Sequence, residues 1–454
     1  MLSALLLCLL SGCAQLEAIL ADSSILLPPR DTGADPDDGP SPRTTRIASD
    51  APPPIFGDWW YYTHPNMQQM RKPKSGDPCL AVPRFDYPNP NTYVPVNVPG
   101  GAHGGPTYLP GGWYSWFARC YTEHIAESGA PVGILIRERN CPFPYATNGY
   151  ATSPREVEVM LDTIPRLDYL FMDLEPFGDD GVEAVKRNVT EIVRLIRSHP
   201  NPQINNAFIG NYEDWPGTRN EALIWPNVRD RTNIRGEWNR DEFYREHLNV
   251  AMPIAYPYET YSRHSHRAIQ KDAVTPNDRA AMLWAPVERV SVAARNLPEG
   301  HLLIPWVSNF VEYEKGGDVY NAPPPSREDL EALIRHLRLR GVYSYMIWTA
   351  NRDQTDHPTI NHQQYRELAM NAWRTLDPAF PEGEPVRVLN LETEKTSGVV
   401  WSGIAGRTRA WVLVSNLGPR AATVELPTGI TGLPRNTPSV PPGQHRLFRF
   451  PLGG

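Results

Sequence analysis

Two acidic residues, Asp173 and Glu175, close a short apolar segment that is bounded by Pro165 and Pro176. A short apolar run between prolines is typical of a buried β-strand. Side chains alternate between the two faces of a strand, so Asp173 and Glu175 share one face. Burying two carboxylates without partners is unfavourable, and such pairs carry out acid–base chemistry in enzymes. The pair therefore predicts an enzyme.

The chemistry that suits this pair is cleavage of a glycosidic bond. That reaction uses a protonated carboxyl to assist the leaving group and a second group that attacks or activates the attacker. Glu175 is flanked by Leu174 and Pro176, and an apolar pocket would raise its pKa to suit a general acid. We predict Glu175 as the general acid and Asp173 as the partner that orients it. The alternative is a buried polar layer or a helix-capping pair.

The elements that must position the pair form a repeating pattern. Strand-like runs alternate with helical patterns, and their number is that of a (β/α)8 TIM barrel, an α/β fold. The acidic pair ends the fourth run, and active sites of this fold lie at the carboxyl ends of the strands. Helical apolar stripes cover residues 182–196 and 330–337, the second after Ser326, a good N-cap. The eight runs are residues 55–62, 93–98, 132–137, 168–175, 207–212, 250–258, 302–310 and 342–348.

The C-terminal part of the chain has a different pattern. From about Arg387, short alternating runs are separated by Gly, Pro and Asn. This pattern predicts a small antiparallel β-sandwich that packs against the barrel. We therefore expect a catalytic (β/α)8 barrel at residues 55–380 and a β-sandwich domain at residues 386–454.

The N-terminus has the features of an export signal. Residues 2–10 are apolar but too short to span a bilayer, and Leu10-Ser-Gly-Cys13 follows them. This segment resembles the bacterial lipoprotein box, which implies a signal peptide at 1–13 and a lipid on the thiol of Cys13. Residues 14–54, rich in Pro and Asp, predict a tether. We expect an exported protein held at a bacterial cell membrane by its lipid anchor alone, on the periplasmic or cell-surface side. An ordinary cleaved signal is the alternative.

Composition narrows the remaining functions. The net charge is −7 without a long basic run, so we expect no nucleic-acid partner. Cys79, Cys120 and Cys141 allow one disulfide in an exported protein, with the pairing open. His264 and His266 have a spacing that is weak for a metal site, and no phosphate-binding or dinucleotide motif is present. We therefore expect neither a metal nor a cofactor, and the oligomeric state stays open.

The fourth run resembles the Asp-Gly-x-Asp-x-Asp-x-Glu motif of the chitinase-like family 18 hydrolases. Asp168, Asp173 and Glu175 fall on its first Asp, last Asp and Glu, while Tyr169 and Phe171 replace its Gly and middle Asp. The resemblance implies that Glu175 is the acid and Asp173 its partner. It also implies that the acetamido group of the substrate is the nucleophile.

Further residues along the barrel support a carbohydrate partner. Tyr258 and Glu259 stand where that family has Tyr-Asp on its sixth strand, and Trp348 resembles the Trp that forms the base of its sugar site. The family's Gly-rich third-strand motif is replaced by residues 134–139. Aromatic residues at strand ends are suited to stacking on sugars. The predicted substrate-binding residues are Tyr258, Glu259, Trp348, Tyr212, Trp306 and Trp59.

A second resemblance gives a different mechanism. Leu174-Glu175-Pro176 is similar to the Asn-Glu-Pro of retaining clan A glycosidases, whose nucleophile is a Glu that ends the seventh strand. Here Glu312 and Glu314 follow the seventh run. In such a site one of them would lie about 5–5.5 Å from Glu175. The alternative is that both belong to a solvated loop.

A rival of another class is a non-catalytic glycan-binding lipoprotein on a TIM barrel. The replacements at Tyr169 and Phe171 and the missing third-strand motif favour this rival. The sugar, its linkage and endo or exo action stay open.

Overall fold

The computed structural model of the chain describes the backbone of fourteen separate segments, and the side chains of most residues in them. All of them belong to one unit, Pro42–Gly454. The described residues are 44–45, 51–58, 94–95, 122–123, 125–137, 158, 161–173, 181–212, 247–255, 276–308, 325–347, 362–381, 384–392 and 398–453.

The strands are short and the helices lie between them along the chain. The strands are β1 Thr44–Thr45, β2 Gly57–Asp58, β3 Val94–Pro95, β4 Gly133–Arg137, β5 Tyr169–Asp173, β6 Phe208–Tyr212, β7 Val250–Met252, β8 Ile254–Ala255, β9 Leu302–Leu303, β10 Trp306–Val307, β11 Met346–Ile347, β12 Val386–Val388, β13 Val399–Ala405, β14 Arg409–Asn416 and β15 Gln444–Pro451. The helices are α1 Gly181–Arg197, α2 Pro202–Asn205, α3 Pro276–Asn296, α4 Arg327–Leu339 and α5 His362–Arg374.

Strands β2 to β11 form the eight barrel strands that the sequence predicts, and all of their pairings are parallel. Pro253 separates β7 from β8, and Pro305 lies between β9 and β10, because proline has no N–H for a ladder. These two pairs are therefore halves of the sixth and seventh barrel strands. The fold is α/β and TIM-barrel-like.

Pairing continues from the third barrel strand to the eighth and on to the first and second. The two sheets have the orders β4-β5-β6-β7-β9 and β3-β2-β11-β10-β8. The eighth strand pairs with the first, with Met346 opposite Gly57. Within the described segments no ladder joins β3 to β4.

Tyr169 shows which face of the barrel strands points inward. It lies at the amino end of the fourth strand, and we call this end of the barrel the lower end. Its hydroxyl donates to the carbonyl of Pro53 at 2.9 Å, and the hydroxyl of Tyr343 donates to that of Pro52 at 2.6 Å. Tyr343 precedes the eighth strand, across the barrel from the fourth, so Tyr169 points inward. The ring of Phe171, two residues later, stacks on it with centroids 5.7 Å apart. Burial raises the pKa of both phenols, that of Tyr343 to about 12, so both remain donors.

Strand register extends this inward face to the neighbouring strands. Phe171 is paired with Gly210, Gly210 with Val250, and Val250 with Leu302. Paired residues in neighbouring parallel strands share a face, so all of these positions are inward. A Cβ at Gly210 would lie 2.7 Å from the sulfur of Met252 and 2.9 Å from the Cβ of Val250. Glycine at this position therefore makes room for Met252.

The end of the predicted tether differs from the expectation. Thr44–Thr45 pairs with β12, Ala51 packs against the barrel core, and the carbonyls of Pro52 and Pro53 accept the tyrosine hydroxyls. Composition does not show these contacts, because they use backbone groups whose partners come from distant parts of the chain. Residues 14–43 lie outside the described part.

Two predicted helices are confirmed. The apolar stripe at 182–196 is α1, in which Val189, Ile192 and Ile196 are fully buried. Ser326 is the N-cap of α4, and its hydroxyl accepts a hydrogen bond of 3.1 Å from the N–H of Asp329.

The C-terminal part forms one antiparallel sheet with the order β1-β12-β13-β14-β15. One face packs Trp411 and Leu413 against Leu339, which ends α4. The other face packs Val412 and Val414 against a covering segment, residues 422–440.

That covering segment is where the predicted sandwich differs. It has only two isolated bridges in place of a second ladder, Ala422 with Val440 and Glu425 with Asn436. The physical reason is its proline content, since proline cannot donate to a ladder. The prolines of this part of the chain are Pro427, Pro434, Pro438, Pro441 and Pro442.

Buried hydrogen bonds join the end of α4 to this sheet. The guanidinium of Arg340 is fully buried, and its Nε donates to the Ser402 hydroxyl at 2.7 Å. Its Nη2 donates to the carbonyl of Trp401 at 2.6 Å. The Ser402 hydroxyl lies 2.9 Å from Nδ1 of His336. Burial lowers the pKa of Arg340 to about 9, so it remains a cation at neutral pH.

The hydrogen bonds continue from His336 to a carboxylate. Nε2 of His336 lies 2.8 Å from the Ser415 hydroxyl, which lies 2.7 Å from Nδ1 of His445. Nε2 of His445 lies 3.0 Å from Oδ1 of Asp329. We call this set the α4–sheet relay; its members are Arg340, Ser402, His336, Ser415, His445 and Asp329.

The groups at the two ends of the α4–sheet relay determine which atom donates and which accepts in each of its hydrogen bonds. Arg340 can only donate and a carboxylate at Asp329 can only accept, so every group between them passes one hydrogen along. This assigns the N–H of both His336 and His445 to Nε2. Burial, then Arg340 and His445, lower the pKa of His336 well below 6.5, so this imidazole is neutral at pH 7. A second proton on His336 would place a donor against the Ser402 hydroxyl and break the order.

We predict that acid weakens the folded state through His336. Its pKa in the folded state lies below the ordinary value of 6.5, so the unfolded chain binds the proton first as pH falls. Its contribution is therefore lost below about pH 6.5, by about 1.4 kcal/mol per pH unit until the folded-state pKa is reached. Urea unfolding of the wild type and His336→Gln between pH 8 and pH 5 measures this difference in slope.

Gln203→Ala is the control, because its exposed side chain does not titrate and takes no part in the α4–sheet relay. It should leave the pH slope of the wild type unchanged. Equal slopes for wild type and His336→Gln would contradict the account.

Candidate functional site

The carboxyl edge of the fourth barrel strand is where the structure places Asp173. Asp173 ends β5, and its register partner Arg137 ends β4. Position 173 alternates with Phe171 and therefore shares the inward face. The backbone of Asp173 thus stands at the predicted edge of the sheet. Glu175 follows it by two residues and lies outside the described residues.

The other predicted site residues follow the same edge in the sequence. Trp59 comes directly after Asp58 and Trp348 directly after Ile347, where the first and eighth strands end. Tyr212 ends the fifth strand, and only its backbone is described. The predicted residues outside the described part are Glu175, Trp59, Tyr258, Glu259, Trp348, Glu312, Glu314 and Cys13, together with Cys79, Cys120, Cys141, His264 and His266.

Trp306 has a different position from the one expected of a sugar contact. It is 1% exposed and belongs to the hydrophobic core of the barrel. Its register partners are Ile254 and Met346, both of which are buried. A ring with no accessible face cannot stack on a sugar, so Trp306 is a core residue. The physical reason for its burial is its position, because Trp306 lies within the strand and not beyond the strand end.

The seventh barrel strand ends at Val307 and is followed by Ser308. Ser308 alternates with Trp306 and is 0% exposed, and its hydroxyl has no hydrogen-bond partner among the described residues. Glu312 and Glu314 come several residues later in the sequence. The inward position that ends the seventh strand is therefore a serine. Sequence reasoning missed Ser308, although its alternation with Trp306 was visible.

A second polar cluster resembles a catalytic triad but cannot act as one. Asp329, His445 and Ser415 follow one another in the hydrogen-bond order of acid, base and nucleophile. Ser415 is 0% exposed, and its hydroxyl is also bonded to His336. No substrate can reach it, so the cluster is structural. Its members are far apart in the sequence, so no sequence motif predicted the cluster.

Within the described segments, no three His, Cys, Asp or Glu side chains are grouped as a metal site would require. None of the helices in this part of the chain has both the length and the apolar character of a membrane span.

Comparisons with known proteins give distant likenesses. No protein-family model matches the chain, and no curated protein does. A solved α-amylase from Anoxybacillus is 10% identical with a TM-score of 0.40, over 74% of this chain and 79% of that one. α-Galactosidase I from Mortierella vinacea is 10% identical with a TM-score of 0.36, over 73% and 79%. A conserved exported protein from Bacteroides fragilis is 12% identical with a TM-score of 0.35, over 75% and 79%. Likenesses at this level carry no argument about activity.

We predict that truncating Trp306 damages the fold. Trp306→Ala should lower the free energy of unfolding by about 3–5 kcal/mol, because it empties a buried site. Trp306→Phe should lower it less, since most of the ring volume remains. Chemical denaturation measures both. A stable Trp306→Ala protein that had lost only glycan binding would contradict the core assignment.

Proposed function

We propose that the chain is a glycoside hydrolase that cleaves a poly- or oligosaccharide, with Glu175 as general acid and Asp173 as its partner. The observation that supports this most is the backbone of Asp173, which ends the fourth strand on the inward face of a TIM-barrel-like sheet. Functional residues of this fold stand at that edge. Continuing the alternation by two residues predicts the same face for position 175.

The register neighbour of Asp173 supports a division of roles between the two acids. Arg137 and Asp173 are paired positions of neighbouring strands, which lie about 5 Å apart. In this proposal the guanidinium of Arg137 meets the carboxyl of Asp173 across the ladder, and a neighbouring cation favours the ionised form of a carboxyl. In the proposed mechanism Asp173 is therefore the ionised partner. Glu175, one pleat further out, holds the proton that the leaving group receives.

The chitinase-like route fits the seventh strand better than the clan A route does. In the first route the acetamido group of the substrate attacks, so no second carboxylate is needed. In the second route a Glu ends the seventh strand, but Val307 and Ser308 stand there. Glu312 or Glu314 as nucleophile remains the second proposal.

A specific observation favours the non-catalytic rival. Tyr169 and Phe171, which replace the Gly and middle Asp of the motif, stack on each other inside the barrel. The space that serves a catalytic Asp in the resembling family is thus filled by an aromatic ring. In this rival Arg137 and Asp173 would form a structural pair, and the carboxyl edge would bind a glycan without cleaving it.

The wider organisation belongs to the same proposal. The barrel closes through pairing of its second and third strands, and the C-terminal sheet with its covering segment acts as the β-sandwich-like module behind it. Residues 1–13 are the signal, and the tether joins the lipid on Cys13 to the folded unit. The protein is then exported and anchored to a bacterial cell membrane.

Glu175→Gln tests the proposal. Turnover should fall about 10²–10⁴-fold, because the amide cannot protonate the leaving group, while the unfolding midpoint and glycan affinity stay close to wild type. Release of reducing ends from chitotetraose, xylotetraose and soluble polysaccharides measures turnover. Glu123→Gln, in a described helical segment away from this edge, is the matched control and should leave turnover unchanged.

The same panel separates the alternatives. Cleavage of chitotetraose alone supports attack by an acetamido group. Cleavage of xylotetraose that is lost in Glu312→Gln or Glu314→Gln supports the clan A route. Glycan binding without turnover by the wild type supports the non-catalytic rival. Unchanged turnover in Glu175→Gln would rule out its role as the acid.

A further inference from the structure

We propose that the hairpin end of the C-terminal sheet binds the carboxylates of an acidic polysaccharide, one that carries a uronate in its repeat. The binding residues are Arg407, Arg409 and Arg449, and we call them the arginine surface. All three side chains are exposed, and the whole surface lies in the described segment 398–453. The choice of a polysaccharide rests on the proposed function, whereas the choice of an acidic one rests on the sheet itself.

The charge of this part of the chain is opposite in sign to that of the rest. Residues 398–454 contain six arginines and one glutamate, with no lysine or aspartate, which gives a net charge of +5. The whole chain carries −7, so the remainder carries −12. A basic part on an otherwise acidic chain indicates a surface that attracts an anionic partner.

The sheet brings three of the six arginines together at one end. Arg407 lies in the two-residue loop of the β13–β14 hairpin, which the N–H of Gly406 closes by donating to the carbonyl of Arg409 at 2.9 Å. Arg409 and Trp411 share a face of β14, and Trp411 is paired with Arg449 of β15. Arg409 and Arg449 are therefore diagonal neighbours on one face, with their backbones about 7–8 Å apart.

Packing holds one of these guanidiniums in position. The guanidinium of Arg449 lies over the ring of Trp411, 4.3 Å from the ring centroid. Trp411 is 2% exposed and also packs against Leu339 at the end of α4, so the ring itself is fixed. A guanidinium stacked on a ring uses its face and keeps its planar fork of N–H donors available. That fork matches the two oxygens of a carboxylate.

Within the described residues, none of the three arginines forms an ion pair with a carboxylate of the chain. Glu425, the one acid of residues 398–454, lies 3.3 Å from Arg435. Asp377, in a short 3-10 helix beside β14, lies 2.7 Å from Arg338. Like charges on neighbouring positions of a sheet repel each other, and an anion bound between them relieves that repulsion.

The extent of the arginine surface favours a narrow polymer over a broad one. A bilayer or a DNA duplex presents its anions over a wide area, and the −12 of the remaining chain opposes its approach. A single polysaccharide chain can contact the hairpin end alone. A uronate in its repeat offers successive carboxylates to neighbouring guanidiniums. The sheet would thus hold an acidic substrate on the protein while the barrel acts on it.

The experiment measures binding of hexagalacturonate and of a hyaluronan hexasaccharide to the full chain by calorimetric titration. Affinity for the uronate that binds should fall about tenfold in the double variant Arg407→Gln/Arg409→Gln, because charge-assisted hydrogen bonds are lost. Raising the salt concentration should weaken wild-type binding. Methyl-esterified hexagalacturonate, which lacks the charges, should not bind.

Arg420→Gln/Arg435→Gln is the matched control. It removes the same charge from two exposed arginines outside the arginine surface, and Arg420 follows the opposite end of β14. Its affinity should stay close to that of the wild type. Thermal unfolding should show both double variants folded, because all four side chains are exposed.

Equal affinity in the wild type and Arg407→Gln/Arg409→Gln, or equal binding of the methyl ester, would overturn the proposal. Binding of phosphatidylglycerol vesicles through the same arginines, with neither uronate bound, would overturn it in favour of a membrane surface. If neither uronate binds, cleavage of a neutral tetrasaccharide would still leave the proposed function intact. Uronate binding that is lost in Arg407→Gln/Arg409→Gln, without turnover of any glycan, would support the surface and remove the hydrolase proposal.

Discussion

The alternation of side chains along a regular parallel register is the constraint on which the account of the barrel depends. Tyr169 anchors it, because its hydroxyl donates to the carbonyl of Pro53, which precedes the first barrel strand. Once that side chain is inward, the ladders assign an inward face to each neighbouring strand. Gly210 shows how closely the inward side chains pack in this register, since even a methyl group there would collide with Met252.

The interior differs between its two ends. The lower half consists of stacked rings and aliphatic side chains, and its buried phenols are satisfied by backbone carbonyls of the chain itself. The upper edge carries Asp173 at the end of one strand and the unpartnered hydroxyl of Ser308 at the end of another. Among the described residues, Ser344 before the eighth strand also has a buried hydroxyl without a partner, so unsatisfied hydroxyls occur at both ends.

Local patterns in the sequence predicted the eight strands and helices α1 and α4 correctly, because apolar runs, alternation and a serine cap are local signals. The α4–sheet relay was not predictable, since Asp329, His445 and Ser415 meet only through tertiary packing. The role of Trp306 was misjudged for a related reason. Alternation alone does not say how far along its strand a residue lies, and so whether it reaches the edge or the core. Thr44–Thr45 joined the sheet despite a composition that indicated a tether.

The most direct test of the central claim is a crystal structure of the Glu175→Gln protein with a bound tetrasaccharide that the wild type cleaves. The account predicts the sugar at the carboxyl edge of the barrel, with the glycosidic oxygen about 3 Å from the amide of residue 175. A sugar bound only elsewhere, for instance on the C-terminal sheet, with residue 175 enclosed in a core, would contradict it.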